Sequence, residues 1–487
     1  MKAAIRPTIK VLEKELIKKV VDEAMEILEE IGFIVENKEA EQLLKKNGLT
    51  VDTKTKRAKI PLDITKKALK TVPSSITLYD RDGKEATILE GENICFDPGS
   101  AALRVLDAET NEIREAYTKD FVQFCKVVEQ LEHIHAQSTA IICADVPEEV
   151  SDMYRLLVCL LMSKKPVITG TFKKESFMKM KDMLVTIRGS EEKLREKPLC
   201  IFDACPSPPL KWSDLTCQSI IDAAKYGIPS EFVSMPMTGA NAPVTILGAI
   251  VQHAAETLAG VVITQLVSEG APVIWGGSPA VFDMRKGTTP MGSIDTMMLD
   301  LGYTEIGKYL KIPTHAYLGM SDAKILDMQS GFETGMGTLL AGIKGVNMIS
   351  GAGMMDFETT QSIQKVIIDN EICGMTYKFI EGITQRDEPI AKDLLNLFDE
   401  KTTHLLSHDH TLKWFRKEQY IPSTVVDRGS KEEWITNGRK TIGDRANDHV
   451  AKLIKKYPGV TLDNDIIKDL AKNFKFDGFD IKKILEI

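Results

Sequence analysis

The stretch that decides the fold lies at residues 316–324 and reads Ala-Tyr-Leu-Gly-Met-Ser-Asp-Ala-Lys. Its first residues complete an apolar strand, and its last residues form a small loop that carries an acid and a base. A segment of helical length with Asp327, Gln329, Gly331 and Glu333 follows. α/β barrels place their chemistry in loops that connect a strand to the next helix. The stretch therefore predicts an α/β fold with a functional site at this loop.

The same alternation of apolar strand, turn and helix extends from residue 94 to residue 351. Amphipathic segments of helical length, such as 213–226 and 246–269, separate the apolar runs, and this pattern indicates a parallel sheet covered by helices. Eight strands are predicted, at 94–99, 137–144, 166–172, 199–204, 231–237, 272–278, 314–320 and 346–351. Eight such strands favour a closed (β/α)8 TIM barrel. A doubly wound open sheet is the alternative fold, and the first strand could instead belong to the preceding hairpin region.

The sequence pattern divides the chain into three regions. Residues 1–93 are predicted to form N-terminal helices and a β-hairpin, whose turn is Arg81-Asp82-Gly83. Residues 94–380 are predicted to form the barrel and its active-site cavity. Residues 381–487 are charged, and we expect them to form a helical C-terminal region that packs on the barrel.

The composition is that of an ordinary globular protein, with 43% hydrophobic and 27% charged residues among 487. The net charge of −8 gives no sign of the basic surface that nucleic-acid-binding proteins carry. The eight cysteines include no Cys-x-x-Cys pair, so we expect reduced thiols and a cytoplasmic location. The first ten residues lack the apolar segment of a secretory signal. Polar residues interrupt the apolar run 247–267, so no membrane span is expected.

In a barrel, the loops that follow the strands meet at one cavity. Here these loops bring glycines, which leave room for a bulky planar partner, and methionines, which form adaptable apolar walls. Several aromatic residues lie at or near the predicted strand ends. Each could pack in the core, or together they could form a wall that binds a quaternary ammonium group by cation–π attraction. They are Phe96, Trp275, Phe282, Tyr317 and Phe332.

Acidic and histidine side chains provide further candidates. His253 and Glu256 are three residues apart and share a helix face, where they form a hydrogen-bonded core pair or line the cavity. Asp322, Glu333 or Glu256 could add Coulombic attraction for a cation in a dry pocket. No metal site is predicted, because no carboxylate or thiol is clearly placed to complete the histidine pairs at 133 and 135 and at 408 and 410.

Taken jointly, several motifs resemble the pattern of the trimethylamine methyltransferase family over nearly the whole chain. They are residues 316–324 with the four residues named after them, Tyr226-Gly227-Ile228-Pro229, Met235-x-Met237-x-Gly239, Gly351-Ala352-Gly353-Met354 and Ile368-Asp369-Asn370. The resemblance implies a TIM barrel that transfers a methyl group from an amine to the cobalt of a separate corrinoid protein, which docks at the barrel mouth. It also implies a homo-oligomer that carries no metal and no tightly bound cofactor of its own.

One position departs from this pattern. The founding members of the family carry pyrrolysine directly before the Ser-Asp-Ala-Lys run, where this chain has Met320. A thioether cannot form an adduct with an amine, but it can pack against methyl groups. A quaternary ammonium leaves as a neutral tertiary amine and needs no such adduct. Met320 therefore predicts a quaternary amine as the substrate, such as glycine betaine, proline betaine, carnitine or γ-butyrobetaine.

The strand-end positions and the resemblance together give a set of expected roles. We assign catalysis to Met320, Ser321, Asp322, Glu333 and Glu256. We assign substrate binding to Phe96, Asp97, Trp275, Phe282, Tyr317, Phe332, His253 and Met237. We assign contact with the corrinoid to Gly276, Gly277, Ser278, Gly351, Gly353 and Met354. Candidates for binding a substrate carboxylate are Arg104, Arg285, Lys286 and the backbone N–H groups near Gly276 and Gly277.

Two other functions stay open from the sequence. The first is a TIM-barrel lyase or aldolase that forms a Schiff base at Lys324, which lies just past a strand end. The second is a non-catalytic protein that binds quaternary amines and has no corrinoid partner.

Overall fold

The computed structural model describes residues 4–99, 101–399, 401, 403–472, 474, 476 and 478–487. Eight short parallel strands form its centre, and each predicted strand segment overlaps one of them. They are β1 (Cys95–Asp97), β2 (Gln137–Ser138), β3 (Val167–Gly170), β4 (Cys200–Ala204), β5 (Ser230–Ser234), β6 (Val273–Gly277), β7 (His315–Ala316) and β8 (Met348–Ser350).

The backbone pairing follows chain order and returns to its start. The strands β2 to β6 pair in sequence, and β7, β8 and β1 form a second parallel set. A parallel bridge between Trp275 and Thr314 joins β6 to the segment of β7. On the other side, the Phe96 carbonyl accepts the N–H groups of His135 and Ala136 at 2.8 and 3.4 Å. The first strand therefore belongs to the central set and not to the hairpin that precedes it.

A helix of at least twelve residues follows every central strand. These helices are α1 (Thr118–Glu129), α2 (Ser151–Met162), α3 (Lys174–Arg188), α4 (Asp214–Tyr226), α5 (Ile246–Val267), α6 (Ile294–Tyr309), α7 (Met328–Lys344) and α8 (Ile363–Ile380). Side-chain N-caps begin several of them, and Asp327, for example, accepts the N–H groups of Gln329 and Ser330 at the start of α7. The mixed α/β class expected from the sequence is confirmed.

The observed strands are shorter than the predicted ones. β7 covers two residues of the predicted segment 314–320, because only isolated hydrogen bonds continue the pairing beyond Ala316. One of these runs from the Gly319 N–H to the Ser350 carbonyl at 2.9 Å. The loop that carries Met320 therefore begins earlier than the apolar pattern indicates.

The N-terminal region closes one end of the central strands. The side chains of Ile76, Leu78 and Leu89 pack in one buried cluster with residues at or next to the start of six central strands, including Cys95 and Met348. These three residues belong to a hairpin formed by Ser75–Tyr79 and Glu85–Glu90. Before the hairpin come helices Lys14–Glu30, Lys38–Lys46 and Leu62–Leu69 and the strands Phe33–Val35, Thr50–Asp52 and Arg57–Lys59. These three strands form a sheet with Lys211–Trp212 from later in the chain.

Two small sheets of short strands lie at the opposite end, where the central strands terminate. One sheet contains Arg104–Leu106, Ile113–Glu115, Met354–Met355 and Thr360–Gln361, and a second contains Met237–Thr238 and Ala280–Val281. The remaining helical elements are Glu148–Val150, Glu191–Glu196, Lys392–Leu395, Asp409–Glu418, Lys431–Thr436, Ile442–Lys456, Asn464–Ala471 and Ile481–Glu486.

Helix α5 is apolar on all sides because it lies inside the protein. It packs against the first N-terminal helix, Lys14–Glu30, and against α4 and α6. In the described part of the chain, it is the one helix long and apolar enough to cross a membrane, yet 83% of its most apolar window is buried. Burial within the fold explains its composition.

Candidate active site

A cavity of about 510 Å³ opens where β4, β5 and β6 end. This volume suits a small organic molecule. The lining residues are Cys205, Pro206, Ser207, Pro208, Met235, Met237, Asn241, Ser278, Ala280, Thr289, Met291, Phe357 and Glu358. These described lining residues include one acid and no lysine, arginine or histidine. The wall is therefore mostly apolar and its one ionisable acid is Glu358.

Met320 lies in an apolar cluster that adjoins the cavity. The cluster also contains Met291 and Ala280, which line the cavity, and Cys205 packs against it. Its other members are Ala102, Val233, Tyr317 and Met354. Met320 is buried, so its thioether contributes to a soft apolar surface beside the cavity.

Glu358 brings a carboxyl group into this apolar wall. The Ser278 hydroxyl donates a hydrogen bond to Oε1 of Glu358 at 3.2 Å. Burial raises the pKa of Glu358 to about 7, and the nearby Asp322 carboxyl adds to the rise. A positively charged ligand beside Glu358 would favour its ionised form.

More carboxyl groups lie inside the ring of central strands. The Ser350 hydroxyl donates to Oδ2 of Asp97 at 2.5 Å and lies 2.9 Å from His315 Nε2. Nδ1 of His315 lies 2.9 Å from Oε1 of Glu231. Burial raises the pKa of Asp97 to about 7, and it also raises the pKa values of Glu231 and Asp203. The interior is thus rich in acidic groups, and burial lowers the pKa of its histidine, His315, to about 4.

The Ser-Asp-Ala-Lys loop is held by buried hydrogen bonds to α7. Oε2 of Glu333 accepts the Ser321 hydroxyl at 2.6 Å and the Asp322 N–H at 2.9 Å. The Asp322 carboxylate accepts the N–H groups of Met291 and Gly292 at 3.0 and 2.9 Å. Ser321, Asp322 and Glu333 therefore connect the loop after β7 to the cavity wall at Met291.

Lys324 is not among the residues that line the cavity. Its side chain is 51% exposed, and Nζ lies 3.5 Å from Oδ1 of Asp356. Nζ also lies 3.8 Å from the centre of the Phe357 ring and donates to the Asp322 carbonyl at 2.7 Å. These contacts join the loop after β7 to the loop after β8.

The comparison with family models identifies the family. Residues 2–475 match the model described as trimethylamine methyltransferase (MTTB). The chain belongs to the trimethylamine methyltransferase family.

Relatives in this family agree with the match. The trimethylamine methyltransferase MttB of Desulfitobacterium hafniense is 30% identical over 89% of this chain and 87% of its own length. MttB of Methanosarcina barkeri is 32% identical over 92% and 90%. A glycine betaine methyltransferase of Desulfitobacterium hafniense is 26% identical over 94% and 95%. The chain is thus a methyltransferase.

A solved structure supports the fold. The Methanosarcina barkeri monomethylamine methyltransferase (MtmB) superposes with a TM-score of 0.50 over 91% of this chain and 88% of its own, at 12% identity. At this level of identity, the likeness shows a shared fold.

Several predicted substrate-binding residues of this methyltransferase lie outside the cavity wall. Trp275 packs against the His253 ring and donates from Nε1 to the Tyr303 carbonyl at 3.0 Å. His253 stacks on the Tyr303 ring at 4.3 Å. Phe96 packs edge-on against Tyr377, with the ring centres 5.4 Å apart. Trp275 and Phe96 thus pack against residues of the surrounding helices, and His253 belongs to helix α5, so the three side chains do not form an aromatic wall together.

The remaining predicted aromatic residues are also dispersed. Phe332 is 59% exposed on α7, and Phe282 is half-buried. Tyr317 lies in the apolar cluster of Met320, with its ring centre 4.9 Å from that of His315. Met237 lines the cavity as expected for a wall residue. Asp97 lies in the buried network with Ser350.

Glu256 is a buried acceptor rather than a cavity residue. It accepts hydrogen bonds from the Ser234 hydroxyl at 2.6 Å, from the Leu210 N–H at 2.9 Å and from Gln252 Nε2 at 2.9 Å. His253 bonds to the Gly276 carbonyl through Nε2 at 2.9 Å. The two residues are thus separate core groups and not a hydrogen-bonded pair.

The residues expected to face the corrinoid are mostly buried. A Cβ atom on Gly276 would lie 2.9 Å from His315, and one on Gly277 would lie 2.6 Å from His253. Positions Gly351, Gly353 and Met354 are buried as well. Ser278 lines the cavity. The glycines are therefore explained by close packing between strands and their neighbours.

The sequence reasoning missed several lining residues, among them Glu358 and Met291. Met291 follows Pro290, which belongs to no strand or helix, so periodicity gave no signal for it. Glu358 lies in a turn whose three residues Asp356, Phe357 and Glu358 have φ angles of +50°, +54° and +66°. None of these residue types, apart from aspartate, is enriched at positive φ, so the turn carries no sequence signature.

Glu333→Ala should lower the free energy of unfolding by about 2–4 kcal/mol, because the Ser321 hydroxyl and the Asp322 N–H would lose a buried acceptor. Phe332→Ala, the neighbouring change at an exposed position of the same helix, should cost about 0.5 kcal/mol or less. Thermal and urea unfolding of both variants measure the difference. Equal losses in the two variants would show that the Glu333 hydrogen bonds do not stabilise the loop.

Proposed function

We propose that the chain is a corrinoid-dependent methyltransferase that moves a methyl group from a quaternary amine to the Co(I) of a corrinoid protein. Glycine betaine, proline betaine, carnitine and γ-butyrobetaine are the proposed substrates. The observation that carries the proposal is the cavity itself, with methionine walls and Glu358 as the one acid among its described lining residues. An apolar wall with a single anion suits a permanently charged, methyl-rich cation.

The chemistry of the leaving group agrees with Met320. A corrinoid Co(I) would supply the nucleophile that attacks the methyl carbon. The amine then leaves as a neutral tertiary amine, so this chain needs to supply no proton. Its own residues hold the cation, exclude water and orient one methyl group, and catalysis of this kind rests on positioning and desolvation. A buried thioether beside the cavity can pack against methyl groups without reacting with the amine.

The fold supports the same proposal. Eight parallel strands that pair in a closed order, each followed by a helix, favour a (β/α)8 TIM barrel at residues 94–380. We propose residues 1–93 as an N-terminal extension that closes the bottom of this barrel, and residues 381–487 as a C-terminal helical region on its outside. The cavity then lies at the end of the barrel where such folds place their active sites.

The mouth of the cavity offers a surface for the corrinoid protein. Exposed apolar side chains on the loops around it are Leu103, Phe172, Met235, Val244 and Met284. Met235 lines the cavity, and a Cβ on Gly239 would touch both Met284 and Val244. Exposed apolar patches of this kind mark interaction sites. We therefore place the corrinoid partner on these loops rather than on the buried glycines at 276, 277, 351 and 353.

The proposed homo-oligomer has a separate basis in the C-terminal region. Among the described residues between 381 and 445, only Val425 is buried. Ile383, Leu406 and Leu412 in this segment are 96%, 76% and 63% exposed. A second copy of the chain is the proposed cover for these side chains. The free state of all eight cysteines supports the proposed cytoplasmic location.

The structure gives the lyase alternative no support. A Schiff-base lysine needs a carbonyl substrate beside its amine, whereas Lys324 does not line the cavity and its Nζ is engaged by Asp356 and the Phe357 ring. A non-catalytic binding protein would bind a quaternary amine without transferring its methyl group, so a measurement of turnover distinguishes this alternative.

The experiment that tests the proposal is a cobalamin spectral assay under anoxic conditions. The protein is mixed with Co(I)-cobalamin, with and without a cognate corrinoid protein, and each betaine or trimethylamine is added separately. We expect conversion to the methyl-Co(III) spectrum with a quaternary amine and not with trimethylamine. Binding of a betaine without conversion would support the binding-protein alternative, and conversion with trimethylamine alone would contradict the proposed substrate class.

A further inference from the structure

The geometry points to Glu358 as the group that binds the substrate ammonium, and to Lys324 as the residue that positions Glu358. This inference rests on the proposed function and adds the residue that selects a cation. Glu358 touches the cavity, so its assigned role is substrate binding. Lys324 lies outside the cavity and would act only through the turn that carries Glu358.

The turn that presents Glu358 has an unfavourable backbone conformation. Asp356, Phe357 and Glu358 all lie in the left-handed region, with φ angles of +50°, +54° and +66°. Left-handed conformations cost about 1–2 kcal/mol for each residue that has a Cβ. Three in succession persist only where surrounding contacts hold them, and such strained segments cluster at binding sites.

Those contacts come from the Ser-Asp-Ala-Lys loop. The Asp356 N–H donates to the Ala323 carbonyl at 3.1 Å. The ammonium of Lys324 lies over the Phe357 ring at 3.8 Å and next to the Asp356 carboxylate at 3.5 Å. On the far side, the Thr359 hydroxyl donates to the Asp356 carbonyl at 2.7 Å. Lys324 thus contacts the two residues that precede Glu358 and faces solvent, while Glu358 faces the cavity.

Glu358 has the right surroundings to select a cation. Ionisable groups that interact with it include Asp322, Asp300, Tyr303 and Cys205, all of them acids, and the described residues of the cavity wall include no lysine, arginine or histidine. The other acids of the site have different partners, because Asp322 accepts two backbone N–H groups and Asp97 is bonded to Ser350. A quaternary ammonium bound in the cavity would therefore give Glu358 the positively charged partner that the described wall residues do not provide.

The first test measures charge selectivity. Binding of the best betaine is compared by calorimetry with binding of its carbon isostere, in which a quaternary carbon replaces the charged nitrogen. Wild-type protein should prefer the betaine, and Glu358→Gln should lose about 100-fold of that preference, since losing one partner of a buried charge pair has effects of this size. Glu358→Asp, which keeps the charge one methylene further back, should give an intermediate preference and serves as the second variant if glutamine disturbs folding.

The second test addresses Lys324. Lys324→Met should reduce the same preference by about 10-fold, Lys324→Arg should restore most of it, and Lys179→Met on the exposed face of α3 is the matched control. An unchanged preference in Glu358→Gln, with betaine still bound by wild-type protein, would overturn the inference and leave the proposed function intact. Absence of betaine binding and turnover in the wild type would instead overturn the proposed function. A normal preference in Lys324→Met would remove the positioning role alone.

Discussion

Met320→Lys should reduce kcat/KM for a quaternary amine by about 100-fold or more. The new ammonium would lie in the apolar cluster that includes Met291 and Ala280, both of which line the cavity. Two positive charges about 5 Å apart repel each other by roughly 3 kcal/mol at an effective dielectric constant of about 20, and that energy corresponds to a factor of more than 100. The spectral assay with Co(I)-cobalamin measures the loss.

Met320→Leu is the matched control for this prediction. It keeps the volume and apolar character of the side chain, and such exchanges usually cost less than about 1.5 kcal/mol of stability. We expect kcat/KM within about 10-fold of the wild type, because no charge is introduced. Full activity in Met320→Lys, with the variant folded by thermal unfolding and circular dichroism, would show that Met320 is remote from the bound cation.

The central strands could be predicted because they are buried on both faces and flanked by helices. Such strands have continuous apolar sequences, and each of the eight predicted runs overlaps a parallel strand in the structure. Because both faces of these strands are buried, the sequence does not show which side chains point into the ring of strands and which point toward the helices. In β6, Ile274 packs with the hairpin inside the ring, whereas its neighbour Trp275 packs outward against His253. The proposed aromatic wall was built from residues whose direction the sequence does not reveal.

The short strands of the N-terminal region were not predicted, for a different reason. The strands Phe33–Val35, Thr50–Asp52 and Arg57–Lys59 have three residues each, which is too few for a period of two to be recognised. They are stabilised by pairing with one another and with Lys211–Trp212, far along the chain. Glu358 escaped for the same kind of reason, because its turn is held by Lys324 and Ala323 from a distant loop.

The methionine-rich wall was the part of the site that the sequence indicated best. Met237 was expected near the cavity and lines it. Methionine after a strand end has no common structural requirement there, unlike glycine or proline in a turn. The glycines at 276 and 277 were harder to interpret, since a glycine required by close packing and one that leaves room for a ligand look alike in a sequence.

Glu358→Gln should stabilise the unliganded protein, by an amount that grows with pH. The pKa of Glu358 is raised to about 7 from an ordinary value near 4.5, so the folded state retains a proton that the unfolded chain has lost. Between pH 4.5 and pH 7, the wild type therefore loses stability as pH rises. For this shift the loss amounts to about 2–3 kcal/mol between pH 5 and pH 8. Glutamine does not titrate, so the stability of the variant does not decrease for this reason as pH rises.

The comparison of the two proteins isolates Glu358 from other titrating groups. Burial lowers the pKa values of His315 and Lys308, to about 4 and about 7, and these groups affect stability in the opposite direction. Both groups are present in the wild type and in the variant, so their contributions largely cancel in the difference. Unfolding free energies measured for both proteins at pH 5 and pH 8 should be nearly equal at the lower pH and favour the variant at the higher. A difference that is constant with pH would show that Glu358 is not a buried proton-binding group.

A bound betaine should cancel most of the variant's advantage at pH 8. A ligand at 100 times its dissociation constant stabilises the folded state by about 2.7 kcal/mol, and the wild type should receive this stabilisation while the variant, with its weaker binding, receives little. Binding to the wild type should also release protons near pH 7, because the cation favours the ionised carboxyl. Glu358 is half-buried, so its charge destabilises the empty enzyme, and a bound cation would offset that cost. Equal stabilisation of the two proteins by betaine at pH 8 would separate the buried charge of Glu358 from substrate binding.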